Sequence, residues 1–314
     1  MSLNIDSVSK RFGEVQALDD VTLEAQPCEV FGFLGANGAG KTTAMRIVLD
    51  ILRADSGRVV WNGTPNTELP RETWGYLPEE RGLYAKMKVL DQLVFFARLH
   101  GVKRKDAERE ARDWLERFRI PEYADRRAES LSKGNQQKIQ FIAAILHDPD
   151  VLLMDEPFTG LDPVNVALLK EAFLEMRDRG KTILFSTHQM EQVEELCQSI
   201  AILDRGKVVV CGSVRDVRRS TGRQVVRLAV EGDSELSWLA EIPGLRVTRR
   251  GEDYSEAQVP AGFDPAVVLQ SALSRGCKVR HFEVADPSLE EIFIERVGRI
   301  DDSERTLAPK AVRQ

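Results

Sequence analysis

The chain has 314 residues, of which 42% are apolar and 30% charged, and a formal charge of −6. That length suits two domains, the apolar share builds ordinary cores, and the acidic balance offers no bulk attraction for nucleic acid. No run approaches the roughly 18 uncharged apolar residues of a membrane-spanning helix, and MSLNIDSVSK lacks the apolar centre of a signal peptide, so a cytosolic location is expected. Cys28, Cys197, Cys211 and Cys277 lie far apart with no CxxC pair, the pattern of reduced thiols rather than of disulfides or a metal.

Leu3, Ile5 and Val8, followed by Val15, Leu18, Val21 and Leu23, predict an antiparallel ribbon. Residues 30–34 read as a buried strand running into a Gly-rich turn and a helix from Lys41 to Leu52. Residues 89–118 are helical with a break near Gly101, and Pro121 interrupts the region. A helix beginning at Ser132 turns Ile139, Ile142, Ile145 and Leu146 inward, and a strand at Val151, a helix over 164–179 and a strand over 182–186 follow. Short apolar strands alternating with amphipathic helices imply an α/β layer structure. Composition shifts after Gly212. Residues 216–224, with Arg218, Arg219 and Arg223 around Ser220-Thr221-Gly222, read as a charged linker between a domain at 1–215 and a smaller one at 225–300. Strands at 225–230, 245–248, 257–259 and 277–284, with helices at 234–240, 264–273 and 287–297, give the βαββαβ order of an α+β ferredoxin-like domain. Residues 301–314 are a polar tail expected to fray.

Gly35-Ala36-Asn37-Gly38-Ala39-Gly40-Lys41-Thr42 satisfies G-x-x-x-x-G-K-[ST] in full and continues into Thr43. The glycines let successive backbone N–H groups turn toward phosphate oxygens, and the following helix adds its positive end. Lys41 supplies charge to β- and γ-phosphates, while the Thr42 hydroxyl suits a Mg²⁺ position. A chance Gly-rich turn would lack the strand before and the helix after. Val151-Leu152-Leu153-Met154-Asp155-Glu156 is an apolar strand ending in two acids. Asp155 at its tip suits Mg²⁺, and Glu156, facing the other way, suits the water that attacks phosphorus. The two motifs together predict ATP and Mg²⁺ binding, with hydrolysis.

Leu131-Ser132-Lys133-Gly134-Asn135-Gln136-Gln137 resembles the LSGGQ signature of ATP-binding-cassette (ABC) proteins. Gly160-Leu161-Asp162-Pro163 resembles their D-loop and Ser186-Thr187-His188 their switch histidine, and the order of motifs matches over residues 1 to about 215. The resemblance implies a P-loop ABC nucleotide-binding domain with a mixed sheet core, an antiparallel β subdomain and a helical subdomain. It implies a head-to-tail homodimer in which Ser132 and Gly134 of one copy close over the ATP on the other copy's loop. Ser132 and Gly134 at a helix start would present a hydroxyl, N–H groups and a helix dipole to that anion. His188 would meet the γ-phosphate beside Glu156, and Asp162 would couple the two sites. Phe12 stands where the family places an aromatic, usually Tyr, that stacks on adenine. His100, His147 and His281 lack such context and read as structural.

Two departures stand out. In Gly75-Tyr76-Leu77-Pro78-Glu79-Glu80-Arg81-Gly82-Leu83-Tyr84 the glutamine usual after the proline is Glu79. Its carboxylate can order water or Mg²⁺ but adds negative charge near the γ-phosphate, so slower turnover is expected. In the signature, Lys133 should face outward and Asn135 is a shorter amide than the usual glutamine. The string YLPEERGLY, with Pro287-Ser288-Leu289-Glu290-Glu291-Ile292-Phe293 near the end, resembles bacterial ABC exporter ATPases of the sodium-efflux type, which carry a small C-terminal domain. That implies an ATPase subunit at the inner face of the membrane, driving a separate transmembrane permease whose cytoplasmic helix seats at residues 79–94. A soluble ABC ATPase acting on ribosomes or DNA fits less well, with one cassette and no long coiled coil between Lys41 and Ser132. A regulatory nucleotide binder with little turnover is the reading that Glu79 and Asn135 would favour.

Overall fold

A computed structural model describes residues 2–297 except Arg81, Ser234, Glu235, Glu252 and Ala261, so the tail expected at 301–314 lies outside the described residues. The chain divides into two units, 1–213 and 214–314. In the first, β1 (Leu3–Phe12) and β2 (Val15–Ala25) form the expected antiparallel ribbon, paired from Leu3 with Ala25 to Phe12 with Val15. β3 (Val30–Leu34) is buried at every residue and leads through the Gly-rich turn into α1 (Lys41–Val48). β4 (Ser56–Trp61) and β5 (Thr64–Pro65) widen the ribbon to a sheet ordered β2-β1-β4-β5. There follow β6 (Trp74–Leu77), α2 (Val89–Leu99), α3 (Arg104–Arg117) and α4 (Lys133–Ile145). β7 (Val151–Asp155), α5 (Pro163–Asp178), β8 (Thr182–Thr187), α6 (Met190–Leu196), β9 (Ser199–Asp204) and β10 (Lys207–Ser213) complete the unit.

The central sheet runs β10-β9-β3-β8-β7-β6, parallel except where β10 folds back on β9. Its inner strands are covered on both faces, which is why Val-Phe-Gly-Phe-Leu, Val-Leu-Leu-Met-Asp and Thr-Ile-Leu-Phe-Ser-Thr are buried throughout rather than alternating. Phe31, Phe33, Leu153 and Leu184 pack with Leu3, Ile5 and Leu18 of the ribbon and Met45 and Ile47 of α1 in one core. Each such side chain contributes about 1.5–3 kcal/mol on burial. This core fixes the carboxyl ends of β3, β8 and β7 side by side, and open parallel sheets bind ligands at that end.

α1 is shorter than the Lys41–Leu52 helix the apolar spacing predicts. It stops at Val48 because Asp50 takes a left-handed conformation (φ 54°) and the Ile51 and Leu52 amides turn back to the Arg46 carbonyl. The expected linker at 216–224 also differs. Residues Val214–Arg219 form α7 with Val217 buried, Arg218 donates to the carbonyls of Asp286 and Pro287, and Arg223 grips Glu295 through two 2.9 Å hydrogen bonds. Its arginines are therefore anchors within the second unit, a use that composition alone does not reveal.

In that second unit β11 (Gln224–Val230), β12 (Arg246–Arg249), β13 (Ser255–Val259) and β14 (Val279–Ala285) form an antiparallel sheet ordered β12-β13-β11-β14. That order is the ferredoxin-like one. α8 (Ala266–Ser274) and a closing helix, α9, at 289–297 match the expected positions, whereas the helix expected at 234–240 is a 3₁₀ stretch, Ser237–Glu241. Leu236 in a left-handed conformation precedes it (φ 44°), and Trp238 and Leu239 reach the core with Val226, Leu228, Val259 and Val268.

His100 at the end of α2 and His147 in the turn between α4 and β7 stack with ring centroids 3.9 Å apart. His147 Nε2–H donates to the Trp74 carbonyl at 3.0 Å, and its Nδ1 is buried without a partner among the described residues. Burial first, and the neighbouring His100 second, bring the His147 pKa down from 6.5 to about 4, against weaker pulls from the Trp74 carbonyl, Asp148 and Glu72. A depressed histidine pKa means that the unfolded chain gains the proton first, so stability is full above 6.5 and falls as pH drops toward 4. Chemical denaturation at pH 7 and pH 5 should differ by on the order of 1 kcal/mol from this site, after solvent screening of a half-buried ring. His147→Gln should flatten that part of the slope.

Candidate functional site

Gly40 is the residue on which the loop geometry turns. It caps α1 at φ 110°, and a Cβ there would lie 2.6 Å from the Ala17 carbonyl oxygen. No side chain caps this helix, so its first N–H groups remain directed at whatever occupies the loop. Asn37 and Gly38 are exposed on the rim, Ala39 and Gly40 are buried beneath it, and Thr43 is half-buried in the first helical turn. Lys41 is 7% exposed, and its ammonium donates to the Gly35 and Ala36 carbonyls at 2.7 and 3.2 Å. Burial lowers its pKa, while Glu156, Asp155 and then Glu79 pull it back up. Thus Glu79, exposed after β6, acts in the same electrostatic field as the loop lysine.

The Thr42 hydroxyl donates to Asp155 Oδ2 at 2.7 Å, joining the loop to the tip of β7. The Ser186 hydroxyl, on β8 between them, donates to Asp155 Oδ1. Glu156 follows Asp155 in a left-handed conformation (φ 48°), and its N–H is shared between the Ser186 hydroxyl and carbonyl oxygens at 3.0 and 3.2 Å. His188 Nδ1–H donates to Glu156 Oε1 at 3.0 Å. Lys41, Thr42, Asp155, Glu156 and His188 therefore meet at one end of the sheet, as the motifs predict. Chemically, this is an ammonium and a ring of N–H groups for polyphosphate, two hard oxygens for a cation, and a histidine-paired carboxylate for a water.

The other predicted residues form two further places. Phe12 ends β1 with 47% of its surface exposed and the Lys10 ammonium over its ring, 5.5 Å from the centre. Ser132 caps α4 and accepts from the Asn135 amide at 3.3 Å, with Lys133 exposed beside it. Asp162 caps α5 and accepts from the Asn165 amide at 3.0 Å, which lowers the carboxyl's pKa. These two caps are neighbours. A Cβ on Gly134 would lie 3.4 Å from the Leu161 side chain and 3.9 Å from the Gly160 carbonyl. Gln137 of α4 reaches the Pro157 carbonyl at 2.9 Å, tying the signature helix to the loop that follows the two acids. Gln137 and Ser186 are contributors that motif reading quotes without assigning a role. Ser186 was legible only as a small polar residue ending an apolar strand.

A strand, phosphate loop and helix beside a second parallel strand that ends in paired acids define a P-loop ATPase. Residues 18–159 match the ABC transporter family and residues 212–297 the C-terminal domain of DrrA1-3-like ATP-binding proteins. The uncharacterized ABC transporter ATP-binding protein YhaQ of Bacillus subtilis is 47% identical over 298 residues, covering 95% of this chain and 99% of that one. Nod factor export ATP-binding protein I of Cupriavidus metallidurans is 32% identical over 306 residues, covering 95% and 97%. A solved ATP-binding subunit of an ABC transporter superposes with a TM-score of 0.67 at 31% identity, covering 71% of this chain and 94% of that one. The chain belongs to the ABC transporter ATP-binding proteins and is an ATPase subunit of that family.

Gly40→Ala should cost about 1–3 kcal/mol, because the new methyl meets both a disfavoured φ and the Ala17 backbone. Denaturant titration measures the loss, and fluorescent-nucleotide titration should record weaker ATP binding in the same variant.

Proposed function

We propose that the protein is the ATP-hydrolysing subunit of a membrane exporter, acting as a head-to-tail homodimer that sandwiches two ATP. The carrying observation is the joined pair Thr42 Oγ1 and Asp155 Oδ2, 2.7 Å apart, beside the Glu156–His188 pair. In this reading the loop from Gly35 through Asn37, Gly38, Ala39, Gly40 and Thr43 wraps the phosphates, Lys41 takes the β- and γ-phosphates, and Phe12 stacks on adenine. The oxygens of Thr42 and Asp155 are the hard donors that Mg²⁺ prefers, so the residues present fit that ion, with Glu79 adding its charge to the same field and offered as a carboxylate to order its water. Mg²⁺ supplies charge neutralisation to the phosphates. Glu156 takes the proton of the attacking water, and His188 orients that carboxylate and meets the γ-phosphate.

Ser132 and Gly134 serve the ATP on the other copy. Their helix start adjoins the Asp162 cap rather than belonging to the loop, which supports a role in a site completed by a second chain and a coupling role for Asp162. Among the described residues no helix is long and apolar enough to cross a membrane, so a separate permease carries the path. Of the 79–94 stretch expected to receive its cytoplasmic helix, Gly82 and Leu83 line a groove of 310 Å³ whose other walls, Tyr76, Pro78, Phe96 and Ala144 among them, lie outside that stretch; this groove suits the helix, with Tyr84 and Leu99 exposed nearby. Through that contact the subunit sits at the cytoplasmic face of the membrane. Export as the direction is supported by similarity, along nearly the whole chain, to a Nod factor export ATP-binding protein.

Glu156→Gln should keep ATP binding within about threefold while phosphate release falls about a hundredfold or more, the usual loss of a general base. A wild-type rate no faster than that of the variant would sink the enzymatic reading. Failure to co-purify with any polytopic membrane protein would remove the transport half.

A further inference from the structure

Ser186 lies opposite Asp155 in the parallel ladder of β7 and β8 and has no exposed surface. Its single hydroxyl proton goes to Asp155 Oδ1, because its oxygen already accepts the Glu156 N–H at 3.0 Å. An N–H can only donate, so the direction of the chain of bonds is fixed: Glu156 N–H to Ser186 Oγ, and Ser186 O–H to Asp155. With Oδ1 engaged, Asp155 presents Oδ2 to Thr42. The same hydroxyl also anchors the backbone of Glu156, which is held in a left-handed conformation (φ 48°) that L-residues disfavour.

We infer that Ser186 is the positioning residue for both acids of the site, its proton holding Asp155 toward the cation and its oxygen holding the Glu156 backbone toward the water. Fully buried and with its hydroxyl engaged by Asp155 and the Glu156 amide, it acts through these neighbouring acids. Thr in its place keeps the hydroxyl and adds a methyl, whereas Val has the shape of Thr and no hydroxyl. The Thr and Val variants share any overpacking, so their difference isolates the hydrogen bonds.

The inference rests on Asp155 and Thr42 as the Mg²⁺ site. The experiment titrates Mg²⁺ against binding of a fluorescent ADP analogue by the full chain, for wild type, Ser186→Thr, Ser186→Val and Asp155→Asn. Outer-sphere partners of metal ligands are worth about 10–100-fold in metal affinity, so Ser186→Val should need at least about tenfold more Mg²⁺ and Ser186→Thr no more than about threefold more. Nucleotide binding in chelator should be the same in both. Turnover of Ser186→Val should fall in kcat with KM for ATP unchanged at saturating Mg²⁺. If the Thr and Val variants respond to Mg²⁺ alike while Asp155→Asn shifts the midpoint, the hydroxyl is packing only and the inference is overturned. An Asp155→Asn midpoint equal to wild type overturns the metal assignment and this inference with it. Ser186→Ala, which removes the hydroxyl without adding volume, gives the same reading if the branched variants do not fold.

Discussion

The hydrogen bond between the Thr42 hydroxyl and Asp155 is the link on which the site depends. It spans two segments more than a hundred residues apart in sequence, and it exists only because β8 spaces β3 from β7 in a parallel sheet. Phe31 and Phe33 of β3 and Val151 and Leu153 of β7, packed in one core with the ribbon and α1, keep the strand tips level. Were the ladder to slip by one residue, every inward side chain would change face. The acids, the loop lysine and the histidine would then no longer meet.

Charge is held at that point by mutual constraint. A buried ammonium is disfavoured, yet Lys41 sits among Glu156, Asp155 and Glu79, and its own loop carbonyls satisfy its donors. The two acids are kept from acting as one cluster by the hydrogen bonds each makes. Asp155 is tied to Thr42 and Ser186, and Glu156 to His188. Glu79 joins this field from the end of β6, so its substitution for the usual glutamine is an electrostatic change as well as a change of hydrogen-bonding type.

The caps at Ser132 and Asp162 are stabilised in a different way, by their own helix amides, and leave their outer faces to solvent. One chain thus carries a phosphate loop built into its core and a second helix start on its surface. The C-terminal unit rests on its own sheet and apolar core, with Arg218 and Arg223 securing its first helix and turn.

Much of this was legible in the chain itself. The apolar runs at 30–34 and 151–154 and the glycine spacing at 35–40 determine strand, turn and helix locally, and together they name the phosphate site. Other parts were not legible, for physical reasons. Asp50 ends α1 through a backbone conformation that apolar periodicity does not encode, and the arginines at 218 and 223 look like solvated linker until their partners at 286, 287 and 295 are brought near. Ser186 shows the division most clearly. By sequence it is a polar residue at the end of a buried strand, and only the register of β8 against β7 gives its hydroxyl two acids to bridge. Sequence alone determined which groups the protein carries for ATP. Tertiary structure decided which of them share a hydrogen bond, because strand order and register are set by packing across the whole sheet rather than by neighbours in the chain.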